Sequence, residues 1–148
     1  MDLCFRYAIE SDLADIVAIE NSSMSAPWSL DSYSEAIDSE HAFILVATVD
    51  DDIAGFAVFY LTPPESELPD IVVNDKYRRM GVGRALLHYA FSELKDRSVD
   101  KVFLEVRVSN YAARALYDSI GFQQIGIRKY FYSAPIEDAI CMSLDIGE

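Results

Sequence analysis

The sequence predicts a mixed α/β fold, and two observations lead to this prediction. Segments that alternate apolar and polar residues, as strands do, are interleaved with segments whose apolar residues recur every three or four positions, as on one helix face. In addition, 51% of the 148 residues are hydrophobic, which is enough for one sizeable core, while the chain is too short for two comfortable domains. We therefore predict one domain over residues 1–148.

The first half of the chain predicts three strands and two helices. Strands are expected at residues 4–9, 42–49 and 53–61, the last two joined by the acidic turn 50–52 and ended by two prolines at 63 and 64. Ser11 can cap a helix that runs to about residue 21, and Ser29 can cap a second helix. Apolar residues at helical spacing mark the buried faces of both helices: Leu13, Ile16 and Val17, then Leu30, Tyr33 and Ile37.

The second half alternates strands and helices in the same way. A strand near residues 67–73 leads into a basic, glycine-containing loop and then into a helix with one apolar face. A strand at 101–108 and a helix at 111–120 follow, and Gly121 is expected to end that helix in the left-handed conformation. Two strands near 122–132 and 137–145 complete the predicted sheet.

Charge is divided unevenly along the chain. Residues 1–70 hold 15 Asp and Glu but only one basic residue, Arg6, whereas residues 71–148 hold 10 acidic and 11 basic residues. This asymmetry argues against a nucleic-acid partner and is consistent with a cationic ligand on the first half. A solvated acidic surface that only aids solubility explains the charge equally well.

Several features exclude other classes of protein. The apolar runs are far shorter than the roughly 20 residues that a membrane span requires, and the N-terminus lacks the pattern of a secretory signal, so we expect a cytoplasmic protein that does not bind membranes. Cys4 and Cys141 are isolated from other ligand residues, so no metal site is predicted. The sequence leaves the oligomeric state open.

The loop at residues 78–84 has the chemistry of an anion site. Its glycines let the backbone approach a ligand, and the N–H groups and positive dipole at the start of the next helix favour phosphate. Four of the chain's 12 basic residues lie within nine positions here: Lys76, Arg78, Arg79 and Arg84. An ordinary tight turn is the alternative, since a lone Gly-x-Gly is weak. The loop matches neither a dinucleotide-binding motif nor an NTPase phosphate loop.

The R-x-x-G-x-G pattern at this place resembles the acetyl-CoA signature of the GNAT superfamily of N-acetyltransferases. The resemblance extends over nearly the whole chain and is strongest from residue 67 to residue 145. Residues 103–110 (FLEVRVSN), 115–122 (ALYDSIGF) and 137–142 (EDAICM), with the Pro27, Trp28 and Ser29 triplet, are similar to the ribosomal-protein-alanine N-acetyltransferases within that superfamily.

This resemblance implies a fold, a co-substrate and a set of binding residues. The fold would be a mostly antiparallel sheet whose middle strands splay apart, flanked by about four helices, and the co-substrate would be acetyl-CoA. Pantetheine would pair with Ile71, Val72 and Val73, and Asn110 and Tyr117 would contact CoA. The loop that holds the CoA pyrophosphate would be Arg78, Arg79, Met80, Gly81, Val82, Gly83 and Arg84. The acceptor groove would lie near Trp28, Phe131 and Tyr132.

Two residues suit the chemistry of amine acetylation, which needs a base for the amine and a proton donor for the departing thiolate. Glu105 lies in an apolar strand, where partial burial of a carboxylate suits a general base; pairing with Arg107, or exposure at a sheet margin, is the alternative. The resemblance makes Tyr117 the general acid, although a tyrosine on an amphipathic helix is more often packed core. Asn110 is also placed to cap that helix.

The resulting prediction is an enzyme that acetylates a protein N-terminal α-amine, and the resemblance implies that the acceptor is a ribosomal protein. The acidic first half would suit a basic N-terminal peptide. Acetylation of a small amine or polyamine is the alternative reaction, and a non-catalytic CoA-binding module is a third reading. The turn at residues 133–136 departs from the family pattern, and so does Phe131, where many relatives have tyrosine, which leaves the peptide preference open.

Overall fold

A computed structural model describes residues 2–21 and 30–147, which form seven strands and four α-helices. The strands are β1 (Leu3–Tyr7), β2 (Ala42–Val49), β3 (Asp52–Thr62), β4 (Glu65–Val73), β5 (Lys101–Arg107), β6 (Gln123–Tyr132) and β7 (Glu137–Asp145). The helices are α1 (Leu13–Asn21), α2 (Leu30–Asp38), α3 (Val82–Asp96) and α4 (Tyr111–Ile120). The mixed α/β prediction is confirmed, with element bounds within a few residues of those expected.

The sheet has the strand order β1-β2-β3-β4-β5-β7-β6. All neighbouring pairs are antiparallel except β4 and β5, which run parallel. These two central strands pair only from Glu65 to Glu67 and from Lys101 to Phe103. Beyond that point they separate, so the expected splay of the middle strands is confirmed and opens a gap in the sheet.

A β-bulge in β4 lies next to this gap. Val58 pairs with Asp70 and Tyr60 pairs with Glu67, so β4 uses one more residue than β3 over the same stretch. Pro69, which has no N–H to donate to a ladder, lies inside the bulge. The extra residue bends β4 at the point where β5 separates from it. Bulges commonly redirect a strand in this way beside a functional site.

Two hydrophobic cores cover the two faces of the sheet. One core packs α3 and α4 against the sheet and includes Leu86, Leu104 and Tyr117. The other packs α1 and α2 against β2, β3 and β4 and includes Tyr33 and Phe56. Among residues 2–21 and 30–147, no helix is both long and apolar enough to cross a membrane.

The predicted helix end is confirmed for α4, and the predicted helix start is wrong for α1. Ser11 is not a cap: it lies inside a 3₁₀ turn, Glu10–Asp12, and α1 begins only at Leu13. The Asp12 carboxylate instead accepts a hydrogen bond from the Ile9 N–H (2.8 Å) and pairs with Arg6 (2.7 Å), and these bonds hold the turn. Ser29 lies outside the described residues. Gly121 ends α4 with a φ of 117°, as predicted.

Candidate active site

The basic loop connects the end of β4 to the start of α3. Arg79 and Gly81 adopt left-handed conformations, with φ of 65° and 75°. The first helical bond of α3 runs from the Ala85 N–H to the Gly81 carbonyl (3.0 Å). The amides of residues 82–84 therefore precede that bond, at the positive end of a 15-residue helix. This arrangement fits a pyrophosphate, whose charge the free N–H groups and the helix dipole favour.

The two loop glycines are required for different reasons. A Cβ on Gly81 would meet nothing within 4 Å, so its positive φ is what favours glycine. A Cβ on Gly83 would lie 3.2 Å from Leu116 Cδ2 and 3.6 Å from Val73 Cγ2. Gly83 therefore allows α3 to pack closely against α4 and the end of β4, which brings the loop next to the predicted cofactor strand.

The four basic residues around the loop are exposed, and three of them have local partners. These pairs are Arg78 with Asp75 (2.7 Å), Lys76 with Asp52 (3.1 Å) and Arg84 with Ser119. Exposed pairs contribute little to stability, so these cations can exchange their partners for a phosphate. Arg79 has no ion-pair partner in the part of the chain that the structure describes, and Met80 beside it is 47% exposed.

The predicted cofactor strand is the end of β4. Ile71, Val72 and Val73 pair with residues 55–57 of β3 on one side, while β5 has already separated on the other. The backbone on the β5 side therefore faces the gap, where an extended chain with amide groups, such as pantetheine, can pair as an added strand. The side chain of Val72 packs towards α1 and α2, and those of its two neighbours pack towards α3 and α4.

Glu105 lies in β5 beside the gap and is less buried than the sequence suggested. The Glu105 side chain is 33% exposed, and its Oε2 lies 3.1 Å from Arg128 Nη1 on β6. Among the described residues, the main contacts of α1 and α2 with the sheet are to β2, β3 and β4, so these two helices give Glu105 little cover. The alternative pairing with Arg107 is wrong, since Arg107 pairs with Glu137 at 3.2 Å.

Tyr117 is a buried residue of α4, with 6% of its surface exposed. Burial raises the pKa of its phenol, and the charges of Asp70 on β4 and Tyr132 on β6 add to this shift. None of the described residues hydrogen-bonds its hydroxyl. The phenol therefore stays protonated at neutral pH.

Glu105 and Tyr117 approach the gap from opposite faces of the sheet. Side chains alternate along β5, so Glu105 points away from Leu104 and Val106, which pack with Tyr117 in the α3–α4 core. Tyr132 interacts electrostatically with both residues. The structure thus brings the predicted base and acid to one opening, with the loop at 78–84 on the same side as Tyr117.

The remaining predicted residues divide into three cases. Asn110 is the N-cap of α4, and its Oδ1 accepts a hydrogen bond from the Ala113 N–H (3.2 Å), so the capping prediction is confirmed. Phe131 and Tyr132 end β6 with their rings edge to face and their centroids 5.0 Å apart; Phe131 is exposed and Tyr132 is half-buried. Trp28 lies outside the described residues.

One buried polar cluster escaped the sequence reasoning. Asp70 is 6% exposed, the Tyr33 hydroxyl donates to its Oδ2 at 3.5 Å, and the buried carboxyl group of Glu20 lies close enough to affect its pKa. Burial raises the pKa of Asp70 to about 6. The signal was present, because Glu20 falls on the same helical stripe as Leu13 and Ile16. A carboxylate at a buried position of an amphipathic helix requires a partner, which here is on β4.

The family model for the acetyltransferase (GNAT) family matches residues 13–122. The chain belongs to the GNAT family. It is an acetyl-CoA-dependent N-acetyltransferase, because GNAT enzymes use acetyl-CoA as co-substrate and the chain has the splayed sheet and the amide-rich loop that suit it.

Full-length relatives refine this assignment. The ribosomal protein bS18-alanine N-acetyltransferase of Salmonella typhimurium is 38% identical over 139 residues, 93% of each chain. The crystal structure of the ribosomal-protein-S18-alanine N-acetyltransferase from Escherichia coli has a TM-score of 0.90 and 35% identity, covering 99% of this chain and 96% of that one. A Bacillus anthracis streptothricin acetyltransferase in complex with acetyl coenzyme A shares the fold, with a TM-score of 0.83 and 24% identity over 98% of this chain and 99% of that one.

Proposed function

We propose that this enzyme transfers the acetyl group of acetyl-CoA to the N-terminal α-amine of ribosomal protein bS18. The observation that carries the proposal is the 38% identity, over 93% of both chains, to a relative named for that reaction. A match over 93% of the chain spans both the loop at 78–84 and the β6–β7 hairpin, so it concerns the site as well as the fold. The loop at 78–84 and residues 71–73 are proposed to hold CoA, with Asn110 beside them.

Two side chains are proposed to move the protons. Acetyl-CoA supplies a thioester, whose carbonyl carbon forms the new C–N bond as its C–S bond breaks. Glu105 takes the proton that the amine loses, directly or through a water, once its carboxylate exchanges Arg128 for the amine. Tyr117 gives its proton to the departing thiolate, a role for which its raised pKa keeps it protonated. The base and the acid thus act from opposite sides of the gap.

Negative charge at the mouth of the gap supports a cationic acceptor. Glu67 pairs with Tyr60 of β3 and Phe103 of β5 at the point where β4 and β5 part. The pKa of Tyr60 is raised by its burial and by the charges of Glu35 and Glu67, which places both carboxylates near that ring. With Glu105, these groups favour a protonated amine and a basic peptide. Phe131 and Tyr132, together with Trp28, are proposed to line the peptide groove.

Mass spectrometry tests the acceptor directly. The enzyme is incubated with acetyl-CoA and a bS18 N-terminal peptide, beside the same peptide with its α-amine blocked and beside a polyamine. We expect one acetyl group on the α-amine of the free peptide and none on the blocked peptide. Acetylation of the polyamine alone would overturn the peptide assignment and favour a small-amine enzyme. Absence of thioester consumption with all three acceptors would indicate a non-catalytic CoA-binding module.

A further inference from the structure

A second charged residue of β5, Arg107, connects three parts of the site. It ends β5, two residues after Glu105, and its side chain is only 11% exposed. Nη1 donates to the Pro135 carbonyl (3.1 Å) and to Glu137 Oε1 (3.2 Å), and Nη2 donates to the Ser133 carbonyl (3.2 Å). One guanidinium therefore holds both carbonyls and the carboxylate of the β6–β7 turn.

The same guanidinium supports a residue of the predicted acceptor groove. Its central carbon lies 4.4 Å from the centroid of the Tyr132 ring, within the range of a cation–π contact. Tyr132 in turn interacts with the charge of Glu105, and its own burial and that charge raise its pKa to about 12. Arg107 thus contacts an aromatic residue that interacts electrostatically with both Glu105 and Tyr117.

Glu137 extends this contact to the helix that carries Tyr117. Its Oε2 accepts a hydrogen bond from the Ser109 N–H (2.7 Å), one residue before the N-cap of α4. Hydrogen bonds from Ser109 and Arg107 lower the pKa of Glu137, so the carboxylate is charged at neutral pH. Arg107 and Glu137 therefore connect the β6–β7 turn to the end of β5 and to the start of α4.

Two residues of the hairpin, one in β6 and one in the turn, have backbone conformations that require such support. Tyr130 and Ala134 have φ of 57° and 53°, and neither is a glycine. Left-handed conformations are unfavourable for residues other than glycine, and they persist where surrounding contacts determine them. The Tyr130 N–H is bound by Asp138 Oδ1 (2.9 Å), and the carbonyls around Ala134 are bound by Arg107.

We propose that Arg107 and Glu137 form a clamp that positions Tyr132 and the turn at residues 133–136 over the acceptor groove, so that Arg107 is a positioning residue for the peptide and not for CoA. This inference rests on the proposed function for the identity of the peptide. A lysine cannot replace Arg107, because one ammonium cannot span two carbonyls and a carboxylate while stacking on a ring.

Steady-state kinetics with the bS18 peptide test the clamp. We expect Arg107→Gln and Glu137→Gln each to raise the peptide KM by roughly tenfold, with the acetyl-CoA KM changed by less than about twofold. The double variant should be little worse than either single one, because both remove the same clamp. The Arg107→Lys variant should show a raised peptide KM similar to that of Arg107→Gln. Lys101→Gln is the matched control: Lys101 also joins β5 to β7, pairing with Asp145 (3.4 Å), but at the opposite end of the strands.

Hydrogen–deuterium exchange supplies a readout that does not need an acceptor. In Arg107→Gln the amides of residues 130–137 should exchange faster, while those of β2 and β3 remain unchanged, which separates a loosened turn from a destabilised fold. Unchanged exchange in the turn would overturn the clamp whatever the acceptor proves to be. Faster exchange with an unchanged peptide KM, or an equal rise in the KM of both substrates, would overturn the positioning role. If the peptide is not a substrate, the exchange result still decides the clamp.

Discussion

Replacing Asp70 by asparagine should stabilise the protein at neutral pH. The buried carboxyl group has a pKa of about 6 in the folded chain against 3.8 for an ordinary aspartate. That difference in pKa means that the folded state disfavours the charged form of Asp70 by about 3 kcal/mol. Asparagine keeps the shape of the side chain and removes the buried charge, and its Oδ1 can still accept a hydrogen bond from the Tyr33 hydroxyl.

The sign of the pH dependence follows from the direction of the shift. A group whose folded-state pKa is raised contributes stability below its unfolded pKa, and that stability is lost as the pH rises through the folded value. Wild type should therefore lose stability between about pH 4 and pH 6 through Asp70, and stay at the lower level above that range. The advantage of Asp70→Asn should be largest above about pH 7 and should shrink towards pH 5.

Urea unfolding followed by circular dichroism at about pH 5 and pH 8 measures this difference. Asp12→Asn is the matched control, because hydrogen bonds from Arg6 and Ile9 lower the pKa of Asp12. That control should lower the free energy of unfolding by a similar amount at both pH values, since Asp12 is charged at both. A gain for Asp70→Asn that is the same at both pH values, or a loss at pH 8, would show that the buried charge of Asp70 does not destabilise the fold.

The remaining predictions concern the loop, the mouth of the gap and the phenol. Gly81→Ala should lower the free energy of unfolding by about 1 kcal/mol because its φ is 75°, and should raise the acetyl-CoA KM; a thermal melt unchanged from wild type would contradict this. Glu67→Lys should raise the KM for a basic peptide by roughly fivefold at low salt, and an effect that persists at about 1 M salt would argue against electrostatics. Tyr117→Phe should lower kcat by roughly 100-fold while calorimetry shows CoA binding within about twofold of wild type, and a retained kcat would remove Tyr117 from the chemistry.

The elements were predictable because each one follows a local rule. Periodicity identified the strands and helices, Gly121 marked the end of α4, and the loop between β4 and α3 was recognised from its glycines and cations. The failure at Ser11 has a physical reason. Asp12, one residue later, offers a carboxylate to both Arg6 and the Ile9 N–H, and a hydroxyl cannot compete with that pair of bonds.

The parts that escaped prediction depend on pairing between distant segments. The sequence places Glu105 and Arg107 two residues apart, but it does not show that their ion-pair partners lie on β6 and β7. The exposure of Glu105 depends on how far α1 and α2 extend across the sheet, which no local pattern encodes. The Asp70–Glu20 contact joins residues 50 positions apart, and the stripe on α1 reveals only one of them.

The most direct test of the central claim is thiol release from acetyl-CoA with the bS18 N-terminal peptide, comparing wild type, Glu105→Gln and Asp145→Asn. Asp145 is an exposed, ion-paired carboxylate on the neighbouring strand and serves as the control. We expect robust release by wild type and the control, with a fall of roughly 100-fold or more in kcat for Glu105→Gln at unchanged CoA affinity. A Glu105→Gln enzyme that keeps the wild-type kcat would show that Glu105 is not the general base.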